Sequence, residues 1–175
     1  MRWQRLFDDL EAEAVELAAL DRDAEICERT RAEVAAVRWL DRLRGSLGAP
    51  VTLELLAAGP VRGTVRYVGP DWVLLDEVPG DALVRVAAVL AVEGTGRSAP
   101  AESATVPMTW GAAWRRLAAE QAVVRLVRVD GGTLRGTVRQ VGADFVEIDR
   151  GADRSRLLVC FTSIAVAHAP VTAEL

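Results

Sequence analysis

The amino-acid sequence predicts a mainly β protein with helices (α+β), in which a long N-terminal helical segment precedes two tandem five-stranded barrels. Three observations predict it: an internal repeat, a period-two alternation of apolar and polar residues within each copy, and a leading segment without Pro or Gly before Gly45. The chain has 175 residues, of which 51% are hydrophobic and 26% charged. This composition is typical of a globular protein and excludes the disordered and collagen-like classes.

The internal repeat is the strongest of these signals. Residues 62–76 recur 73 positions later as residues 135–149, and ten of the fifteen positions are identical. The match continues upstream and, after a one-residue insertion in the second copy, downstream, where it pairs Leu83 with Leu157. Each copy spans about 45 residues, a length at which a packed core is marginal on its own. We therefore expect the two copies to support each other.

Strands and turns follow from the pattern within each copy. In the second copy, alternating apolar and polar positions predict five strands, at residues 123–129, 133–141, 145–149, 156–161 and 164–167. The run Asp130-Gly131-Gly132 predicts a tight hairpin between the first two, because glycine accepts the positive φ of such turns. A short amphipathic helix precedes each copy, at residues 39–47 and 110–121, and Thr109 is the expected N-cap of the second.

The predicted domain organisation has four parts. They are a helical, coiled-coil-like segment at 1–38, a first barrel with its leading helix at 39–94, a linker rich in Gly, Ser, Ala and Pro at 95–108, and a second barrel with its helix at 109–170. In the first part, Trp3, Phe7 and Leu10 have the a/d spacing of a helix seam and are candidate interaction residues. The seam breaks near residues 20–24, which leaves open one helix or two, packed on the barrels or dimerised.

Hydropathy and cysteine usage favour a cytoplasmic protein. No uninterrupted apolar run reaches the roughly 18 residues that a membrane span needs. The N-terminus turns acidic at Asp8 and Asp9, where a signal peptide has its apolar core. Cys27 and Cys160 are far apart and outside any C-x-x-C spacing, which predicts two reduced, half-buried thiols rather than a disulfide or a thiolate metal site.

The inventory of reactive residues predicts a protein that is not an enzyme. The sequence contains one histidine, His168, without a visible base or metal partner, and we expect it to be exposed at the end of the last strand. Asp71 and Asp144 are expected in turns, where a carboxylate accepts backbone N–H groups, and Asp76 and Asp149 close the third strand of each copy. We expect no catalytic residue, no cofactor, no metal and no small-molecule substrate.

Two rows of arginine are the most distinctive polar feature. All 21 basic residues are Arg, and period-two alternation places Arg62, Arg66, Arg135 and Arg139 on the outer faces of the second strands. Guanidinium groups in such a row bind phosphate or carboxylate. The net charge is −4, and residues 8–33 carry ten acids against three Arg. We therefore expect this acidic segment, in cis or from a second chain, to be favoured over nucleic acid as their partner.

The second copy resembles the first signature block of Sm and Sm-like proteins, which belong to the SH3-like barrels. The residues that carry the resemblance are Asp130, Gly131, Gly132, Gly136, Val138 and Val141, followed by an apolar strand that ends in Asp149. It covers both copies with their leading helices. The resemblance implies barrels that join edge to edge, the fourth strand of one pairing with the fifth strand of the next, within the chain or between chains.

The RNA-binding residues of Sm proteins have no counterpart in this sequence. The resemblance implies an Asp and an Asn after the second strand, but Gly69 and Gly142 replace the Asp, and Val73 and Val146 replace the Asn. The Arg-Gly pair of the turn between the fourth and fifth strands is also absent from both copies. A uridine pocket is therefore not expected.

The sequence thus favours a non-catalytic Sm-like module that acts through protein–protein association, as a homo-oligomer or with a protein partner, and away from membranes. The alternative is an RNA- or DNA-binding regulator of Sm type that uses the Arg rows as a non-standard site.

Overall fold

The computed structural model describes residues 25, 28–32, 34–78, 80–96, 107–151 and 155–170. The chain divides into two compact units, residues 1–38 and 39–175. In the first unit, residues 28–32 and 34–36 are helical, whereas Trp3, Phe7 and Leu10 lie outside the described residues. In the described part of the chain, no helix is both long and apolar enough to cross a membrane.

The second unit consists of two copies of a helix followed by five strands. The first copy comprises α1 (Trp39–Arg44), β1 (Pro50–Leu55), β2 (Gly59–Val68), β3 (Trp72–Glu77), β4 (Gly80–Arg85) and β5 (Val89–Glu93). The second comprises α2 (Trp110–Ala119), β6 (Val123–Arg128), β7 (Thr133–Val141), β8 (Phe145–Asp149), β9 (Arg156–Cys160) and β10 (Ile164–Pro170). A 3-10 turn separates the fourth and fifth strands of each copy, at Val86–Ala88 and at Phe161–Ser163. The observed strands agree with the predicted ones to within three residues at each end.

The ten strands form one antiparallel sheet, and this corrects the predicted fold class. The strand order is β5-β1-β2-β3-β4-β10-β6-β7-β8-β9. The two copies are therefore halves of a continuous sheet and not separate barrels, because β4 of the first copy pairs with β10 of the second. The expected long N-terminal helix and coiled coil are not found in the part of the chain that the structure describes, which is mainly β with the short helices α1 of six residues and α2 of ten. Residues 1–24 of the predicted helical segment lie outside the described residues.

The two copies share their irregularities as well as their strand order. The second strand of each copy has the same register shift against the third, at Val65/Tyr67 and at Val138/Gln140. The fifth strand also has the same shift against the first in both copies. Equivalent residues are thus 73 positions apart through the third strand. A bulge that recurs at the same place in both halves belongs to the repeat unit and increases its local twist.

Beyond the third strand the sequence alignment of the copies was off by one residue. Register partners of the third strand make Arg85 equivalent to Cys160, so Leu83 is equivalent to Leu158 and not to Leu157. Equivalent residues are therefore 75 positions apart from the fourth strand onward. The second copy carries two extra residues, and not one, in the turn before its fourth strand.

The core consists of two clusters, and each combines side chains of both copies. One cluster packs Trp72, Leu74 and Leu83 of the first copy with α2 and the strands of the second. The other packs Val127 and Val166 of the second copy with the strands of the first. Neither half closes its core alone, which agrees with the marginal length of a single copy.

Helix α2 begins and ends through identifiable contacts. The Thr109 hydroxyl accepts a hydrogen bond from the Ala112 backbone N–H at 3.3 Å, which confirms the predicted N-cap. After the helix, Gln121 adopts a positive φ of 50°, and Gly48 has a φ of 78° at the equivalent position after α1. These left-handed residues end the two helices and turn the chain into the first strand of each copy.

Where the second and third strands pair, the third strand lies so close that one position of the second strand must be glycine in each copy. A Cβ atom on Gly136 would lie 2.5 Å from the Asp149 carbonyl oxygen and 2.5 Å from Ile148 Cγ2.

We expect Gly136→Ala to lower the free energy of unfolding by about 1–3 kcal/mol, because a backbone carbonyl cannot move aside without disturbing the ladder. Denaturant unfolding followed by tryptophan fluorescence measures the loss. Gly96→Ala is the matched control, since its Cβ would meet nothing within 4 Å. Equal stability of the two variants would contradict this account.

Candidate functional site

The joint between the two copies is an antiparallel ladder of β4 and β10. Its register pairs Val84 with Val166, Leu83 with Ala167 and Asp81 with Ala169. The side chains at its centre are buried, with Leu83 at 5% exposure and Ala167 at 0%. The ladder therefore satisfies backbone groups and excludes water from apolar surface at the same time.

A chain of aromatic rings crosses this joint from one copy to the other. Tyr67 contacts Trp72 at a centroid distance of 5.0 Å, and Trp72 contacts Trp110 of α2 at 6.5 Å. Trp110 in turn meets Trp114 at 5.5 Å and Phe161 at 6.3 Å, both edge to face. Arg85 places its guanidinium carbon 5.8 Å from the centre of the Trp110 ring, within the range of a cation–π contact. Such contacts add to the energy of burial.

Three hydrogen bonds attach the start of α2 to the first copy. The Met108 N–H donates to the Tyr67 hydroxyl at 2.6 Å, and the Met108 carbonyl accepts from Trp72 Nε1 at 2.8 Å. The Trp110 N–H donates to Asp71 Oδ1 at 3.1 Å, which confirms that this turn carboxylate accepts a backbone N–H. The last residue of the predicted linker is therefore fixed to the first copy, and α2 is held over the joint.

The polar residues of the joint were not recognised from the sequence. His168 is half-buried and not exposed: its side chain is 19% accessible, and Nδ1 lies 2.9 Å from Glu77 Oε2. Asp81 is 6% exposed, and its Oδ1 has no hydrogen-bond partner among the described residues. Burial raises the pKa of Asp81; Arg66 opposes this rise and Asp76 adds to it.

The outermost strands of the sheet, β5 and β9, each have one edge that pairs with no other strand among the described residues. Each of these edges carries an exposed leucine, and the equivalent residue of the other copy is buried in the joint. Leu158 on β9 is 55% exposed, whereas the equivalent Leu83 is 5% exposed. Leu90 on β5 is 66% exposed, whereas the equivalent Ala165 is 0% exposed. An uncovered edge with apolar side chains is a template for pairing with a further strand.

The structure places all four candidate arginines on exposed positions of β2 and β7. Arg66 lies 3.9 Å from Asp76, and the equivalent Arg139 lies 3.1 Å from Asp149. The repeated carboxylate that closes the third strand is thus the neighbour of the repeated arginine on the second strand. The backbone N–H of Gly151 and the Arg139 guanidinium lower the pKa of Asp149. Arg62 and Arg135 lie exposed further along the same strands.

The positions of the Sm pocket offer no room for a side chain. A Cβ on Gly69 would lie 2.9 Å from Trp72 Nε1 and 3.0 Å from the Met108 carbonyl oxygen. A Cβ on Gly142 would lie 2.2 Å from the ring of Phe145. Aromatic rings therefore fill the place where the resemblance would have put a base-binding carboxylate.

Reactive groups are sparse among the described residues. No group of three or more His, Cys, Asp or Glu side chains in this part of the chain could hold a metal ion. A cavity of about 30 Å³ lies between Trp72, Leu83 and Leu117, with Asp81, Arg116 and Glu120 in its wall. Cys160 is a free thiol and is exposed, not half-buried as predicted. Cys27 lies outside the described residues.

Comparison with known proteins assigns no family to this chain. No protein-family model matches it, and no curated protein matches it.

The hydrogen bond from the Met108 N–H to the Tyr67 hydroxyl can be tested by removing that hydroxyl group. We expect Tyr67→Phe to lower the free energy of unfolding by about 1 kcal/mol, because the Met108 N–H loses its acceptor. Thermal unfolding followed by fluorescence measures the change. The matched control is Gln140→Ala at the equivalent, exposed position of the second copy, which is expected to stay within about 0.5 kcal/mol of the wild type. A smaller loss for Tyr67→Phe than for Gln140→Ala would argue against this anchor.

The lowered pKa of Asp149 predicts a pH dependence of stability. The ionised carboxylate stabilises the fold above its ordinary pKa, and this contribution is lost as the pH falls through the pKa of the folded state. We expect Asp149→Asn to lower the melting temperature at pH 7 and to approach the wild type as the pH falls to about 3. Asp144→Asn serves as control. A constant difference between Asp149→Asn and wild type at all pH values would refute the assignment.

Proposed function

We propose that this protein is a non-catalytic scaffold that acts by homo-oligomeric protein–protein association through the free edges of its sheet. The observation that carries the proposal is the repeat itself. The chain contains one complete joint between a fourth and a fifth strand, β4 with β10, and leaves the other fourth and fifth strands, β9 and β5, at the two edges. One chain therefore offers a β9 edge to the β5 edge of the next.

The register of the existing joint specifies the contacts of this second one. Transferred to the edges, it places Ala91 opposite Val159 and Val92 opposite Leu158. Leu90 follows on the same face as Val92, so the exposed side chains of Leu90 and Leu158 become neighbours. Association would bury these two leucines, which are each more than half exposed. Their burial would supply the apolar contact that the equivalent buried residues supply in the joint of β4 and β10.

Charge complementarity favours the same register. The positions of His168 and Glu77, which pair in the joint, correspond to Glu93 and Arg150 at the edges. Both side chains are exposed, and Arg150 donates to Ser155 Oγ at 3.1 Å within its own copy. The polarity of the pair is reversed, but its charges remain opposite. Association of unlike edges is heterologous, so it generates rings or filaments from head-to-tail chains.

The nucleic-acid alternative has less support. Arg66 and Arg139 each lie beside a carboxylate, and the chain carries a net charge of −4. Both facts weaken the positive electrostatic field that phosphate binding needs.

We propose a cytoplasmic location, because an exposed free thiol such as Cys160 persists in a reducing compartment.

Sedimentation velocity of the full chain over a concentration series tests the association. We expect oligomers whose absorbance at 260 nm shows no bound nucleic acid. We expect Leu158→Lys to weaken association at least tenfold, because a desolvated ammonium group replaces an apolar contact. Val78→Lys is the control, because Val78 is 95% exposed in a turn away from both edges.

A charge exchange tests the register. Glu93→Arg and Arg150→Glu are each expected to weaken association, and the double variant is expected to recover it. A wild-type protein that stays monomeric up to about 1 mM would contradict the proposal. Oligomers that retain RNA and lose it with Arg135→Ala and Arg139→Ala would favour the nucleic-acid alternative.

A further inference from the structure

The ladder that joins the two copies carries an ionisable group on each of its faces. Asp81 faces the aromatic side of the sheet, opposite Ala169, and His168 faces the other side, opposite Ala82. Leu83 and Ala167 on one side and Val84 and Val166 on the other are apolar and buried. Two titratable side chains are therefore placed within one short apolar ladder.

Within the described part of the chain, one oxygen of the buried Asp81 carboxylate is left without a hydrogen bond. Its side chain lines the cavity beside Trp72 and Leu83, and Oδ1 has no hydrogen-bond partner among the described residues. An isolated buried carboxylate is costly when charged and accepts a proton instead. The second copy avoids this cost, since Arg156 stands at the equivalent position and lies 3.1 Å from Glu147.

The charged groups around Asp81 do not cancel this cost. Asp76 is its register partner on β3, and like charges directly opposite each other in a sheet repel. Arg66 on β2 attracts Asp81 but lies 3.9 Å from Asp76, with which it is shared. On α2, Arg116 and Glu120 line the same cavity and lie 3.3 Å apart as an ion pair.

His168 adds a polar contact across the joint on the face opposite to Asp81. Its Nδ1 lies 2.9 Å from Glu77 Oε2, and both side chains are largely shielded from water. Arg125 on β6 is the register partner of His168. This contact links the second copy to the first independently of Asp81.

We propose that the joint of β4 and β10 is proton-responsive: the buried carboxyl group of Asp81 holds a proton when the joint is closed, so the two copies are bound more tightly in acid than at neutral pH. A carboxyl group whose pKa is raised in the folded state contributes stability that is complete below its ordinary pKa and is lost as the pH rises through the folded-state value. This inference does not depend on association between chains.

The melting temperature of the full chain between pH 4 and pH 7, at one fixed concentration, tests the proposal. The wild type is expected to lose about 2–4 °C over this range relative to Asp81→Asn. Asp81→Asn is expected to melt above the wild type at pH 7 and to approach it at pH 4.

Asp130→Asn is the matched control, because this exposed hairpin carboxylate lies outside the joint and is expected to leave the pH profile unchanged. Parallel pH profiles for the wild type and Asp81→Asn would overturn the proposal. So would an Asp81→Asn protein that is less stable than the wild type at pH 7.

Discussion

The N–H and C=O groups of a sheet edge must find partners, and the architecture of this protein depends on how that requirement is met between its two copies. Each copy alone leaves a fourth and a fifth strand unpaired. Pairing β4 with β10 satisfies one edge of each copy, encloses Leu83 between them and brings α2 over Trp72. The shared core clusters, the aromatic chain and the anchoring of Met108 all follow from this one ladder.

The local structure of the second unit was largely predictable, because it depends on near neighbours in sequence. Period-two alternation located the strands of the second copy, the run Asp130-Gly131-Gly132 located the hairpin between β6 and β7, and Thr109 marked the start of α2. The single sheet was not predictable in this way, since alternation indicates which residues form strands but not which edges pair. The one-residue error in aligning the copies has a similar cause: Leu157 and Leu158 are identical in hydropathy, so a shift of one cannot be distinguished from a shift of two.

The candidate site was harder to predict than the strands. His168 seemed an isolated strand-end residue, because its partner Glu77 lies 91 positions away and meets it only across the joint. Asp81 carries no signal in the sequence that sets it apart from other carboxylates, and only the packing of β10 and α2 around β4 buries it. The Arg rows were placed correctly on the outer faces of the second strands. Their neighbours Asp76 and Asp149 were also visible in the repeat, and pairing them with Arg66 and Arg139 required only the hairpin register.

A difference between the two pairs of fourth and fifth strands connects the fold to the proposed function: β4 and β10 form a complete ladder within the chain, whereas β9 and β5 are the outermost strands of the described sheet. Amide hydrogen exchange of the intact protein at low and high concentration tests this most directly. The account predicts that the amides of the β4–β10 ladder are protected at both concentrations. It predicts that the outward-facing amides of β5 and β9, which do not bond to β1 or β8, become protected only at high concentration. Protection of these outward-facing amides that does not change with concentration would contradict it.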